Sequence, residues 1–172
     1  RVEQSGTAMP LTDRLVAVFG ARLRQLDGSV RIELLRAALD GGAAGTAAES
    51  GSRYTMVDVE PAIAADLLSV GPSGDPVFRH PLVRAAVIQQ AAAGDRRAAH
   101  AHLAGLYGDS VVRRATHLAA AATGPDQAVA DLLDQAARLS IRRGGSAVAV
   151  DWLHRAAELS TDACRRDALR AD

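Results

Sequence analysis

The sequence predicts a mainly α chain with one small β-hairpin, and three observations carry that expectation. Of 172 residues, 48% are hydrophobic but only 3% aromatic, and Ala alone makes up about a fifth. Side chains this small and helix-favouring suit close-packed helices better than a sheet sandwich. Apolar residues also recur at helical spacing through most of the chain. Against that background stands one short β-type run, Pro76-Val77-Phe78, behind the turn-forming string Gly71-Pro72-Ser73-Gly74-Asp75.

Thr12 and Asp13 can cap a first helix whose apolar residues Leu15, Val16, Phe19, Leu23 and Leu26 share one face and which ends at Asp27-Gly28. Ser29 opens a second helix, carrying Ile32, Leu34, Leu35 and Leu39, and Gly41-Gly42 stops it. Residues 41–53 have little to bury and read as a loop. A third helix, capped by Asp58, is expected to run to about Leu68. The hairpin then ends near Arg79, and Pro81, whose missing N–H would be unpaired there anyway, starts a helix with Leu82, Val83, Ala86 and Val87 on its apolar face. Helix, hairpin and helix in that order resemble a winged-helix unit.

From Asp95 onward the pattern is helices only, broken at Tyr107-Gly108-Asp109, Thr123-Gly124-Pro125, Arg143-Gly144-Gly145 and Ser160-Thr161-Asp162. Antiparallel helix pairs are expected. Leu133, Ala137, Gly144, Ala149, Leu153 and Ala156 follow the spacing of a tetratricopeptide repeat, in which small residues let two helices approach and a glycine turns the chain. Ala136 and Ser140 depart from it, being small where that repeat usually has larger side chains. The expected organisation is a winged-helix-like domain over residues 1–94 and an incomplete helical repeat region over 95–172.

Several function classes lose support on composition alone. Lysine is absent, so all 20 basic residues are Arg, and 20 acids balance them. A phosphate-binding P-loop needs a Lys on the terminal phosphates, so this chain is not expected to hydrolyse nucleotide by itself. Zero net charge gives nucleic-acid binding no support. The absence of a long apolar run and of a signal-peptide pattern, with the single Cys164, points to a cytoplasmic protein without membrane contact. A start at Arg1 and an end in mid-pattern at Asp172 suggest a piece of a longer polypeptide.

Other constellations are weak. His100 and His102 point to different helix faces and His117 lies in another helix, so no metal set is expected and structural or surface roles are the plainer reading. Cys164 stands beside Arg165-Arg166 without a neighbouring base, which argues against a nucleophile. The Arg doublets 96–97, 113–114, 142–143 and 165–166 read as solvated helix faces. Asp109, Asp134, Asp151 and Asp162 lie four residues before Arg113, Arg138, Arg155 and Arg166, a spacing worth a few tenths of a kcal/mol per pair. A DNA-inserting winged helix normally uses the helix before its hairpin, and Asp58, Glu60 and Asp66 there would repel phosphates.

The string Phe78-Arg79-His80-Pro81-Leu82-Val83-Arg84-Ala85-Ala86-Val87 is followed by Asp95-Arg96-Arg97-Ala98-Ala99-His100 and by Arg113-Arg114-Ala115-Thr116-His117-Leu118-Ala119-Ala120-Ala121. With Gly124-Pro125-Asp126, Arg142-Arg143-Gly144-Gly145 and Arg155-Ala156-Ala157-Glu158-Leu159, these resemble actinobacterial large ATP-binding regulators of the LuxR family over most of residues 10–172. That family joins an AAA+-like nucleotide-binding domain of the STAND class to a winged helix, a tetratricopeptide-like region and a C-terminal DNA-binding helix-turn-helix. The resemblance implies that residues 1–94 hold the end of the AAA+ lid and the winged helix. It further implies ATP or ADP bound by a domain outside this chain, and DNA contacted only by the C-terminal domain. Partners would be the chain's own nucleotide-binding domain and a protein or inducer on the repeats, and no enzymatic activity is expected of the segment.

In related STAND switches a Met-His-Asp-Leu motif places its His against the β-phosphate of ADP. His80-Pro81-Leu82-Val83-Arg84 resembles that motif, with Pro81 at the Asp position, and so implies that His80 is an ADP phosphate sensor. The residues also allow a second reading, in which His80 caps its own helix. Two other functions stay open: a stand-alone helical interaction scaffold and a DNA-binding winged helix.

Overall fold

A computed structural model of the chain describes residues 11–40, 55–72 and 76–163. Among them the chain is mainly helical with one two-stranded antiparallel sheet, as the composition predicts. The helices are α1 (Leu11–Arg24), α2 (Gly28–Asp40), α3 (Glu60–Ala64), α4 (Pro81–Gln90), α5 (Ala93–Leu106), α6 (Val111–Ala121), α7 (Gln127–Arg142) and α8 (Ser146–Leu159). The strands are β1 (Leu68–Val70) and β2 (Pro76–Phe78). The chain divides into two units, Arg1–Ala38 with Met56–Ala91 and Leu39–Thr55 with Ala92–Asp172. Expectations for the loop at 41–53, its Gly41-Gly42 stop, Cys164, Arg165-Arg166 and both termini lie outside the described residues.

In the first unit, α1 packs on α4. The approach is close at Gly20, which is buried in mid-helix, because a Cβ there would run into the end of the Gln90 side chain. Leu23 from α1, Val30, Leu34, Leu35 and Ala38 from α2, and Val83, Ala86 and Val87 from α4 are buried. Ile32, expected on the apolar face of α2, is 42% exposed. The buried face of α2 runs through positions 30, 34, 35 and 38, which leaves residue 32 on the far side.

The third helix is shorter than its sequence suggests. It covers only Glu60–Ala64, and its N-cap is Val59, without a side-chain bond, rather than Asp58. Asp66 adopts φ 64°, a left-handed conformation that ends helical propagation. Leu67 and Leu68, read as helical, are buried where the chain enters β1. Leu68 pairs with Phe78, Ser69 with Val77 and Val70 with Pro76, and Arg79 N–H closes the end of the ladder on the Leu67 carbonyl at 3.2 Å. Pro76, which has no N–H to give, stands at the strand's first position.

In the second unit α5 packs on α6, α6 on α7 and α7 on α8. The breaks fall where the sequence puts them. Gly144 takes φ +85° between α7 and α8, a conformation only glycine adopts without strain. The resulting pair is shut at its open end. Asp126 N–H donates to the Leu159 carbonyl at 2.8 Å, and Gln127 Oε1 accepts from Thr161 N–H at 3.0 Å and from the Ser160 hydroxyl at 3.1 Å. The start of α7 therefore lies beside the end of α8, which makes the pair antiparallel. Ala130, Leu133, Ala136, Ala137, Ala149, Leu153, Ala156 and Ala157 form the core between them, and alanines at most of these positions let the helix backbones come close.

Candidate functional site

His80 is the N-cap of α4, in extended backbone with φ −148° and ψ 143°. Its Nδ1 accepts from the Leu82 N–H at 3.0 Å, which satisfies one of the donors a helix start leaves without a partner. Accepting requires an unprotonated Nδ1, so the neutral ring carries its proton on Nε2, outside the bond. The side chain is exposed, and its ring lies stacked 6.5 Å from that of Phe19. The cap thus fixes both tautomer and orientation. The helix-capping reading is what the geometry displays, and it leaves an oriented N–H donor at the positive end of a helix.

The residues flanking His80 are engaged on either side. Arg79 pairs with Asp66 at 2.8 Å, and Arg22 from α1 meets the same carboxylate at 3.3 Å. Two guanidiniums thus share one exposed carboxylate beside the hairpin. Arg84, one turn into α4, donates from Nε to the Ala38 carbonyl at 2.7 Å. That carbonyl lies in the last turn of α2, where intrahelical donors run out. Arg84 therefore ties the helix begun at His80 to α2 within the first unit. Of the three carboxylates expected on the helix before the hairpin, Asp58, Glu60 and Asp66, only Glu60 lies in α3, and Asp66 is paired with Arg22 and Arg79.

The second unit contains a polar cluster that sequence spacing did not bring together. Asp40, the last residue of α2, Tyr107 at the end of α5 and His117 in α6 are all buried. The Tyr107 hydroxyl donates to Asp40 Oδ1 and accepts from Arg113 Nη1 at 2.7 Å. The Arg113 guanidinium lies 4.9 Å from the Tyr107 ring centroid and 4.0 Å from the Asp40 carboxylate. On the ring's other contact, His117 stacks at 5.7 Å and 17°. His117 in turn meets His100 of α5, Nδ1 to Nδ1, at 2.9 Å.

These two imidazoles are unequal. Burial pushes the His117 pKa down to about 4, with the neighbouring His100 and Arg113 pushing the same way and Asp40 opposing them. Burial also lowers His100. Signals for this cluster do exist in the sequence. Asp40 ends a helix, where the macrodipole disfavours an anion, and Arg113 stands in a first turn, where it disfavours a cation. Each calls for a specific partner.

Of the other singled-out residues, Arg138 pairs with Asp134 at 2.8 Å as its spacing predicts, whereas Arg155 takes Glu158 at 2.7 Å and the Ala119 carbonyl at 3.3 Å rather than Asp151. Among the described residues no group of three or more His, Cys, Asp or Glu could hold a metal ion, and no helix is long and apolar enough to cross a membrane. Comparison with known proteins returns no matching family model, no matching curated protein and no matching solved structure.

Proposed function

We propose that this chain is a non-enzymatic regulatory segment of a cytoplasmic LuxR-family transcription regulator of the STAND class. In this reading α3, the hairpin and α4 form a winged-helix-like unit. It senses ADP or ATP held by a nucleotide-binding domain elsewhere in the same polypeptide. The helix pairs from α5 to α8 form an irregular tetratricopeptide-like surface for a protein or inducer, and DNA is contacted by another part of the polypeptide. One observation carries the reading: His80 spends Nδ1 on its own helix and keeps Nε2–H as an exposed, oriented donor at that helix's start. Such a donor suits an anionic phosphate oxygen. Arg84 gives the sensor a mechanical output, because displacement of α4 strains its bond to the Ala38 carbonyl.

The same cap favours a second reading, a stand-alone helical scaffold in which His80 does nothing more than end its helix. The flanking reading frame separates the two. A P-loop encoded upstream supports the nucleotide-linked switch, and a frame without one supports the scaffold. In the switch, His80→Ala raises basal transcriptional activity by loosening the ADP-bound resting state; unchanged basal activity contradicts it.

A further inference from the structure

The second unit suggests a regulatory device that does not depend on nucleotide. We propose that His100 and His117 form an acid-sensitive clasp between α5 and α6, in which the Nδ1–H of one ring donates to the unprotonated Nδ1 of the other and the helices separate once both rings are cationic. At 2.9 Å one Nδ1 must donate and the other accept. With both rings protonated, two N–H groups would face each other in a buried setting, and the hydrogen bond would become a repulsion.

The surroundings make that repulsion costly. His117 is 3% exposed and stacked on Tyr107, so water cannot screen a new charge. Arg113 from its own helix and His100 from α5 oppose an imidazolium, and Asp40 alone among the groups acting on it favours one. Asp40 is already engaged by the Tyr107 hydroxyl and has Arg113 at 4.0 Å. From α7, which packs on α6, the buried residues Val129, Ala130, Leu133, Ala136 and Ala137 are all apolar, and the largely buried Asp134 is paired with Arg138 at 2.8 Å.

The sign follows from linkage. The folded state holds His117 near 4 while an unfolded chain titrates at 6.5, so the unfolded or opened state binds more protons between those values. The clasp is intact above that window and is released as pH falls through it. Through this route an acidified cytoplasm loosens the α5–α6 pair.

Amide hydrogen exchange on the 172-residue chain, corrected for the intrinsic effect of pH, tests the clasp. Between pH 7 and pH 4.5, exchange in α5 and α6 is expected to rise about tenfold or more relative to α7 and α8. In His117→Asn, whose amide can bond His100 Nδ1 but takes up no proton, the relative rise is expected to stay below about threefold. Equal acceleration in both proteins overturns the proposal. Should the variant not fold, wild-type protein with 15N-labelled histidine decides. Loss of α5–α6 protection in step with protonation of His117 supports the clasp, and protection that persists after His117 is protonated overturns it.

Discussion

Asp40 and Arg113 each sit at the helix end whose dipole disfavours their charge, and they stand 4.0 Å apart with the Tyr107 hydroxyl bonded to both. Two unfavourable placements thus become one satisfied buried network. Tyr107→Phe keeps the ring and its stacking on His117 but removes the bridge. Chemical denaturation is expected to show a loss of about 1–3 kcal/mol, the cost of leaving buried polar groups short of a partner. Tyr107→Phe combined with Asp40→Asn is expected to lose less than the sum of the two single changes, because both act on the same network.

The pH dependence of global stability follows from the same cluster. His117 is held near 4 in the folded state against 6.5 when unfolded, so stability is full above 6.5 and declines below it. The decline by pH 4 is about 3 kcal/mol from this group, read as a fall in the denaturation midpoint, and His117→Asn should flatten that part of the profile.

Gly144→Ala tests the α7–α8 turn. At φ +85° a Cβ is strained although nothing crowds it, so the change is expected to cost about 1–2 kcal/mol in thermal denaturation. A Gly124→Ala control, at ordinary φ and with open space around it, is expected to be neutral within about 0.5 kcal/mol.

Close packing between α7 and α8 predicts a penalty for larger side chains. Ala136 is fully buried between them, and Ala136→Leu is expected to destabilise by about 1–3 kcal/mol through overpacking. Ala128→Leu on the exposed face of α7 is expected to change stability by less than about 0.5 kcal/mol.

Periodicity and breakers made the helices from α5 to α8 legible, because Gly, Pro and Asp at the turns punctuate runs with one apolar face. The hairpin was legible for the same reason. What the sequence hid was local backbone choice and distant pairing. Asp66 took a left-handed conformation with its carboxylate on Arg22 and Arg79, which ended α3 early and freed Leu68 for the strand. His100 and His117, 17 residues apart on neighbouring helices, met only through packing that no spacing rule expresses. His80 caps α4, as the plainer reading of its residues expects.

The two readings of His80 part most directly in the rate at which ADP leaves the longer polypeptide that the proposal requires. His80→Ser keeps a side chain that caps α4 but lacks the reach of the imidazole Nε2, whereas His80→Ala loses both. The regulatory account predicts that a fluorescent ADP analogue dissociates about tenfold faster or more from His80→Ser than from wild type, with stability held within about 0.5 kcal/mol. An unchanged dissociation rate in His80→Ser, alongside a loss of stability in His80→Ala, would make His80 a helix cap and nothing else.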